Sequence, residues 1–409
     1  MSDSRGNRRI GWPGRVALAA AAVAVAAVVA AAGCSSGGDD SADATTSTAP
    51  ATQATTTATQ PAPTGAVPAV QDDHLPVDPV ETLPARIDMI AATGARVTRL
   101  DLFWSGVAPN PVENPEDPAD PGYDFSRYDM ILEGLAAKGI TPIMSVYNSP
   151  AWAADGQASQ NPVNPAAPDP DAYAKFMTAV ATRYGGGFAG RESGRALPAV
   201  RYFEMWNEPN LSAYLSPQVE DGQRVSLDNY AAMVKAAYPA IKAANPEAQV
   251  IAGVGGPRGL TSDTGTGALD WLRGLVERQI PLDGYSQHIY PAAAPTAETM
   301  AFPSWSSVDQ ILAEIERFRP GLPLYITEAG YTTAETSFRD VKVTDAEQAR
   351  YLTQIYALPQ VQNPRVRAIV WFNLQDNVNW PAGLLREDGS EKPSYAAFQE
   401  VTASSADGL

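Results

Sequence analysis

Tyr202-Phe203-Glu204-Met205-Trp206-Asn207-Glu208-Pro209-Asn210 and Leu322-Pro323-Leu324-Tyr325-Ile326-Thr327-Glu328-Ala329-Gly330 have the same shape. In each, a short apolar run of β-forming residues stops on a carboxylate and then breaks at Pro or Gly, the residues that end strands and open loops. A carboxylate at the C-terminal end of a strand, just ahead of a loop, is where a parallel barrel carries its chemistry. The fold therefore turns on whether the rest of the chain alternates in the same way.

It does. Working outward from these runs, strand-like stretches at 96–104, 140–147, 200–206, 249–254, 282–289, 324–327 and 367–373 each precede a helical pattern. Those patterns fall at 128–138, 171–184, 227–245, 267–278, 307–319, 345–358 and 394–401. An eighth strand is predicted near 67–71, ahead of a helix at 84–93. Alternation of this kind means a parallel sheet covered by helices. Eight units in about 330 residues suit a (β/α)8 TIM barrel with inserted loops, a single catalytic domain over 70–404. The competing arrangement is an open doubly wound sheet. Its nucleotide-binding form lacks its signature here, because no Gly-rich turn follows the first strand.

The chain has 409 residues, 44% of them apolar, which is normal for a globular protein. Acidic residues outnumber basic ones 46 to 29, a net charge of −17. That argues against nucleic acid or anionic lipid as the main partner, since both need a basic face. A neutral polymer is the easier fit. With two histidines, His74 and His288, and one cysteine, Cys34, zinc sites built on His/Cys clusters and disulfide frameworks are nearly excluded.

The N-terminus reads as a targeting segment. Arg5, Arg8, Arg9 and Arg15 precede an uncharged Ala/Val run over 16–32 that closes on Ala31-Ala32-Gly33-Cys34. Small residues before a lone cysteine resemble the lipobox of bacterial lipoproteins, with Ala at the position that is usually Leu. The resemblance implies a signal peptide over 1–33, Cys34 as the lipid-bearing residue, and an extracytoplasmic protein that is lipid-anchored to the cell membrane, or secreted. The alternative is an uncleaved membrane helix, for which the run is short and weakly apolar. Arg8-Arg9 leaves Sec and twin-arginine export both open. Residues 34–69 are Ser, Thr, Ala, Gly and Pro with scarcely an aromatic, a composition that buries no core and reads as a flexible tether.

Trp206-Asn207-Glu208-Pro209-Asn210 on the fourth predicted strand and Ile326-Thr327-Glu328 on the seventh resemble the two signatures of the clan A retaining glycoside hydrolases. Arg99-Leu100-Asp101-Leu102-Phe103-Trp104 is similar to that clan's second strand. Ser149-Pro150-Ala151-Trp152 and Gln287-His288-Ile289-Tyr290 are similar to stretches of family 39 and its relatives in families 5, 30 and 51. The approach to the first strand, around 70–74, does not show the clan's usual opening.

The resemblance implies double displacement on a carbohydrate. Glu208 would be general acid and then general base, kept protonated near neutral pH by burial and by the second carboxylate. Glu328 would be the nucleophile, held ionised by donors, with the carboxyls about 5 Å apart. Asn207 would donate to the hydroxyl next to the reacting carbon. Arg99 would lie under the nucleophile, with an ion pair to Asp101 as its other reading. Tyr290 would donate to Glu328, and His288 would line the reacting subsite. Aromatic rings suit the apolar faces of sugars. Trp371, at the end of the eighth predicted strand, is the expected stacking platform, with Trp152 as a second contact; Trp104, Trp206 and Trp380 also sit at or after strand ends, and each of these rings, Trp152 included, has a core reading beside the sugar-facing one. Asn373, Gln375 and Asp376 are possible hydroxyl partners. Glu204 shares strand parity with Glu208 but lies too deep for substrate. Glu335 either lines a distal subsite or is solvated. No metal or organic cofactor is implied, and a monomer is expected. A carbohydrate-binding lipoprotein and a transglycosylase remain open beside the hydrolase, as do the sugar, the linkage and the choice between internal and terminal cleavage.

Overall fold

A computed structural model describes residues 65–154, 166–190, 194–337, 339–405 and 408–409. The signal segment, Cys34 and most of the tether read from the sequence lie outside the described residues. No helix among the described residues is long and apolar enough to cross a membrane.

Eight parallel strands close into a barrel: β1 (Val67–Gln71), β2 (Val97–Phe103), β3 (Thr141–Tyr147), β4 (Tyr202–Met205), β5 (Gln249–Gly255), β6 (Gly284–Ile289), β7 (Leu324–Ala329) and β8 (Val366–Trp371). Each strand pairs with the next, and β8 returns to β1 through Val67 opposite Ala368 and Val70 opposite Trp371. One long helix follows each strand: α1 (Leu83–Ala92), α2 (Ser126–Ala137), α3 (Pro170–Arg183), α4 (Ser226–Ala244), α5 (Ala268–Glu277), α6 (Val308–Ile315), α7 (Asp345–Tyr356) and α8 (Pro393–Ser404). The architecture is the (β/α)8 barrel predicted from the alternation.

Local chemistry sets the helix starts. Asp169 accepts the Ala172 amide at 2.8 Å and Pro170 opens α3 with its φ already helical. Thr344 and Glu347 cap α7 reciprocally. Along α5, Ala268, Trp271, Leu272 and Leu275 recur at helical spacing and are all buried against the sheet.

Strand alternation divides the core in two. Val67, Ala69, Val97, Ile143, Tyr202, Ile251, Tyr325, Ala368 and Val370 fill the barrel floor. Their neighbours in sequence, among them Leu100, Leu102, Met144, Val146, Phe203 and Val250, face the helices. Continuing upward along the inward faces, Val97 gives way to Arg99 and Asp101, Ile143 to Ser145, and Tyr202 to Glu204. The apolar floor thus carries a buried polar layer near the C-terminal mouth.

Several boundaries differ from the sequence reading. β1 spans Val67–Gln71, where the eighth strand is predicted, and so starts three residues ahead of the domain start at 70. The fourth strand stops at Met205, because Trp206 takes φ +76° and leaves the extended run. The helix predicted over 307–319 ends at Ile315, and the eighth strand ends at Trp371 rather than at 373.

Candidate active site

Arg99 is the hub of the polar layer. It is 1% exposed, and its five N–H donors all have acceptors. Nε donates to Glu204 Oε2 at 2.6 Å, Nη1 to Gln71 Oε1 at 2.9 Å and Glu328 Oε1 at 2.8 Å, and Nη2 to Ser145 Oγ at 2.9 Å and Asn207 Oδ1 at 2.7 Å. Asp101 Oδ1 stands 3.3 Å from Nη1, so Arg99 pairs with Asp101 as well as with Glu328. A buried guanidinium stripped of partners would cost several kcal/mol. The complete donor set offsets that cost and fixes the partners. Because Asn207 turns its oxygen to Arg99, its NH2 is left to donate elsewhere.

Glu328, 8% exposed, sits on β7 directly opposite His288 of β6. Arg99 takes one of its oxygens and the Tyr290 hydroxyl donates to the other at 2.8 Å. Glu208 lies three residues beyond β4 on a turn where Trp206 and Glu208 both have positive φ, +76° and +39°. Such backbone costs about 1–3 kcal/mol for a residue with a Cβ, and here it aims a carboxylate into the mouth. Gly256, after β5, makes room for it: a Cβ there would stand 2.9 Å from Glu208 Cδ. Opposite, His288 Nδ1 lies 2.8 Å from Glu208 Oε1 and 3.4 Å from Glu328 Oε2. His288 Nε2 is 3.2 Å from Thr327 Oγ1, which is hydrogen-bonded to Ser286.

Burial pushes Glu208 up to about 8, opposed only by the charge of Arg99. Burial also pushes Glu328 up to about 7, with His288 and Arg99 pulling it back and Glu208 adding repulsion. Both carboxyls thus sit above the usual range and titrate as a coupled pair. Burial lowers His288, which favours the neutral imidazole. The sequence reading had Glu328 held ionised by its donors; in the structure those donors only partly offset its burial.

One donor atom from each of Glu208, His288 and Glu328 lies within 4.8 Å of the others, and among the described residues this is the group whose atoms could converge on a cation. Each of those side chains already has a hydrogen-bonding partner here, and a cation would have to displace the protons between them.

The remaining sequence candidates divide. Trp371 is not a stacking platform: it is fully buried on the helix side of β8, and its indole N–H donates to the Ala382 carbonyl at 2.9 Å. The reason is parity, since Val370 and Ala368 face the barrel interior and Trp371 must face out. The half-buried rings beside the glutamates are instead Trp380, with its centroid 4.8 Å from that of Tyr290, and Phe372, 6.3 Å from both. Trp152 joins an aromatic cluster with Trp104 at 5.7 Å and donates to the Ala108 carbonyl at 3.0 Å; none of these contacts reaches the glutamates. Trp206 is buried and donates to Tyr214 O.

Gln375 is engaged by Arg86 and Asp376 by Lys392, so both brace loops. Asn373 accepts the Asp73 amide at 3.3 Å. Glu204 lies beneath Arg99 with no exposure, and Glu335 pairs with Lys342 in an exposed ion pair. Sequence reasoning passed over Gln71, Asp73, Ser145, Tyr147, Tyr214 and Gly256. Gln71, Ser145 and Tyr147 carried a signal, the alternations Val67-Ala69-Gln71 and Ile143-Ser145-Tyr147. The others depend on which loop meets which.

Residues 113–403 match the family model described as glycosyl hydrolases family 39. A β-xylosidase of Geobacillus stearothermophilus is 27% identical over 257 residues, 58% of this chain and 46% of the relative, so the chain spans about half the length of that curated protein. Among solved structures, a family 39 glycoside hydrolase from Bacteroides cellulosilyticus superposes with a TM-score of 0.56 at 23% identity, covering 82% of this chain and 63% of that one. A family 39 β-xylosidase from Caulobacter crescentus gives a TM-score of 0.56 at 20% identity, covering 84% and 73%. At these identities the structural likeness speaks for the fold.

Proposed function

This chain belongs to the family 39 glycosyl hydrolases, and from that premise we propose that it is a retaining O-glycoside hydrolase with Glu208 as acid/base and Glu328 as nucleophile. The observation that carries the reading is the approach of the two carboxylates, one oxygen of each within 4.8 Å of the other. Retaining enzymes hold their carboxyls about 5–5.5 Å apart, whereas inverting ones leave room for a water, about 6.5–9.5 Å.

In the first step a Glu328 oxygen attacks the anomeric carbon while Glu208 gives its proton to the glycosidic oxygen, so the C–O bond breaks and the aglycone leaves as a neutral alcohol. In the second, Glu208 takes a proton from water, whose oxygen attacks the same carbon and releases Glu328 as carboxylate. Tyr290 and Arg99 both hydrogen-bond Glu328 and place its charge. The free NH2 of Asn207 faces the hydroxyl beside the reacting carbon, a contact that tightens in the transition state.

The test is product stereochemistry. The full chain would be assayed against aryl glycosides and oligosaccharides, xylosides first because two of the relatives are described as β-xylosidases. Proton NMR of the first-formed sugar is expected to show the anomeric configuration of the substrate. An inverted product, or a glycan that binds without being cleaved, would overturn the reading. Transfer to added acceptor sugars in preference to water would make the protein a transglycosylase on the same intermediate.

The N-terminal run ending in Cys34 supports an extracytoplasmic, lipid-anchored placement for the same enzyme. Labelled fatty acid is expected to be incorporated by the wild type and lost in Cys34→Ser. Equal labelling of both would refute the anchor.

A further inference from the structure

We propose that Asp73 and Asp101 are specificity residues that accept hydroxyls of the sugar held over Glu328, on the side of the mouth away from Glu208. The inference rests on the assignment of Glu328 as nucleophile. With the anomeric carbon at Glu328 and the leaving oxygen at Glu208, the sugar ring must extend away from Glu208, toward the ends of β1 and β2.

That is where these two carboxylates stand. The Gln71 amide ties them together, Nε2 donating to Asp73 Oδ1 at 3.2 Å and to Asp101 Oδ2 at 3.1 Å, while its oxygen is held by Arg99. The Tyr147 hydroxyl donates to Asp101 Oδ2 at 3.1 Å. Asp101 is 7% exposed, yet its Oδ1 accepts no hydrogen bond and has only the guanidinium at 3.3 Å beside it. Asp73 is half-buried, and its hydrogen-bond donors are the two side-chain amides of Gln71 and, at 3.4 Å, Asn377. Burial, then the charges of Asp101, Glu328 and Asp72, push Asp73 well above the usual carboxylate range. Burial pushes Asp101 up as well, against the pull of Arg99.

Two carboxylates short of donors, beside a third, call for a ligand that brings O–H groups and no further negative charge. A neutral sugar does so, and its hydroxyls can both donate to and accept from a buried carboxyl. The wall behind Asp73 limits what else can enter. Arg86 bridges Asp72 and Gln375, Asn373 accepts the Asp73 amide, and Asn377 reaches the Asp73 carboxyl, so the segments after β1 and β8 are joined there. Hydroxyls pointing at that wall must be unsubstituted.

The test compares the full chain, Asp73→Asn and Asp101→Asn on the aryl glycoside the wild type cleaves best and on its singly deoxygenated analogues. Asn keeps the shape and replaces one carboxyl oxygen with an NH2. The wild type is expected to lose about a hundredfold or more in kcat/KM when the recognised hydroxyl is missing. Each Asn variant is expected to lose a comparable factor on the parent sugar and little more on the analogue lacking its hydroxyl. Labelling of Glu328 by a 2-deoxy-2-fluoro glycoside checks that the variants keep an intact site. Equal losses on parent and analogue, or none, would overturn the proposal while leaving the hydrolase standing. So would a wild type indifferent to every deoxygenation, whatever the variants do. Absence of any turnover by the wild type would overturn both.

Discussion

Glu328→Ala is expected to lower kcat on an unactivated glycoside by five to six orders of magnitude, on the order of the loss seen when a covalent nucleophile is removed. The reason is geometric. Glu328 is the carboxylate that Arg99 and Tyr290 both hold, each at 2.8 Å, so its oxygens are positioned before substrate arrives and no neighbour can take its place. Glu204, the nearest other glutamate on Arg99, is fully buried beneath it. Azide entering the space left by the side chain should attack the anomeric carbon from the nucleophile's side, and the glycosyl azide should have inverted configuration. A variant within tenfold of wild type, or a product of retained configuration, would remove Glu328 from the role.

Glu208→Ala is expected to cost about 10²–10⁴-fold, the range for general acid–base catalysis, with the largest loss on substrates whose leaving group needs a proton. A dinitrophenyl glycoside should still form the intermediate, and azide should restore turnover with retained configuration, because it attacks the glycosyl-enzyme from the open face. The pH profile follows the same assignment. The reactive form has Glu208 protonated and Glu328 ionised. Activity is therefore lost as pH rises through the upper step and as it falls through the lower one. Burial places these near 8 and near 7, so kcat/KM should peak between them in a narrow bell. The two steps belong to the coupled pair. In Glu208→Ala, measured on an activated substrate, the alkaline limb should vanish while the acid limb remains, because Glu208 is protonated and uncharged where Glu328 titrates. An unchanged bell would assign both limbs to other groups.

The barrel itself was legible in the sequence because it repeats. Each apolar run followed by a 3.6-period pattern is a local signal, and eight of them leave few topologies. The ends were less legible. β4 reads as extended through Trp206, but the turn that aims Glu208 requires positive φ at Trp206 and Glu208, and the carboxylate it aims has room because Gly256 of a later loop has no side chain. Nothing local to 202–210 encodes that. Trp371 failed for a related reason. Its position near a strand end was right, but whether a residue faces sugar or helix is set by parity against β1, and one residue reverses it. The ring beside Tyr290 is Trp380, nine residues further along in a loop whose path no periodicity describes.

By itself, then, the sequence determined the alternation, the two glutamates at strand ends, and the inward face of β2 on which Arg99 and Asp101 both lie. These follow from hydrophobic period and strand parity, which act over a few neighbouring residues. Tertiary structure alone decided that Gln71, Ser145, Glu204, Asn207 and Glu328, drawn from four segments, would saturate one guanidinium. It decided that His288 would stand between two carboxylates and that burial would raise both of them. Each of these depends on burial and on distances across the barrel, and a closed sheet sets both only when its last strand meets its first.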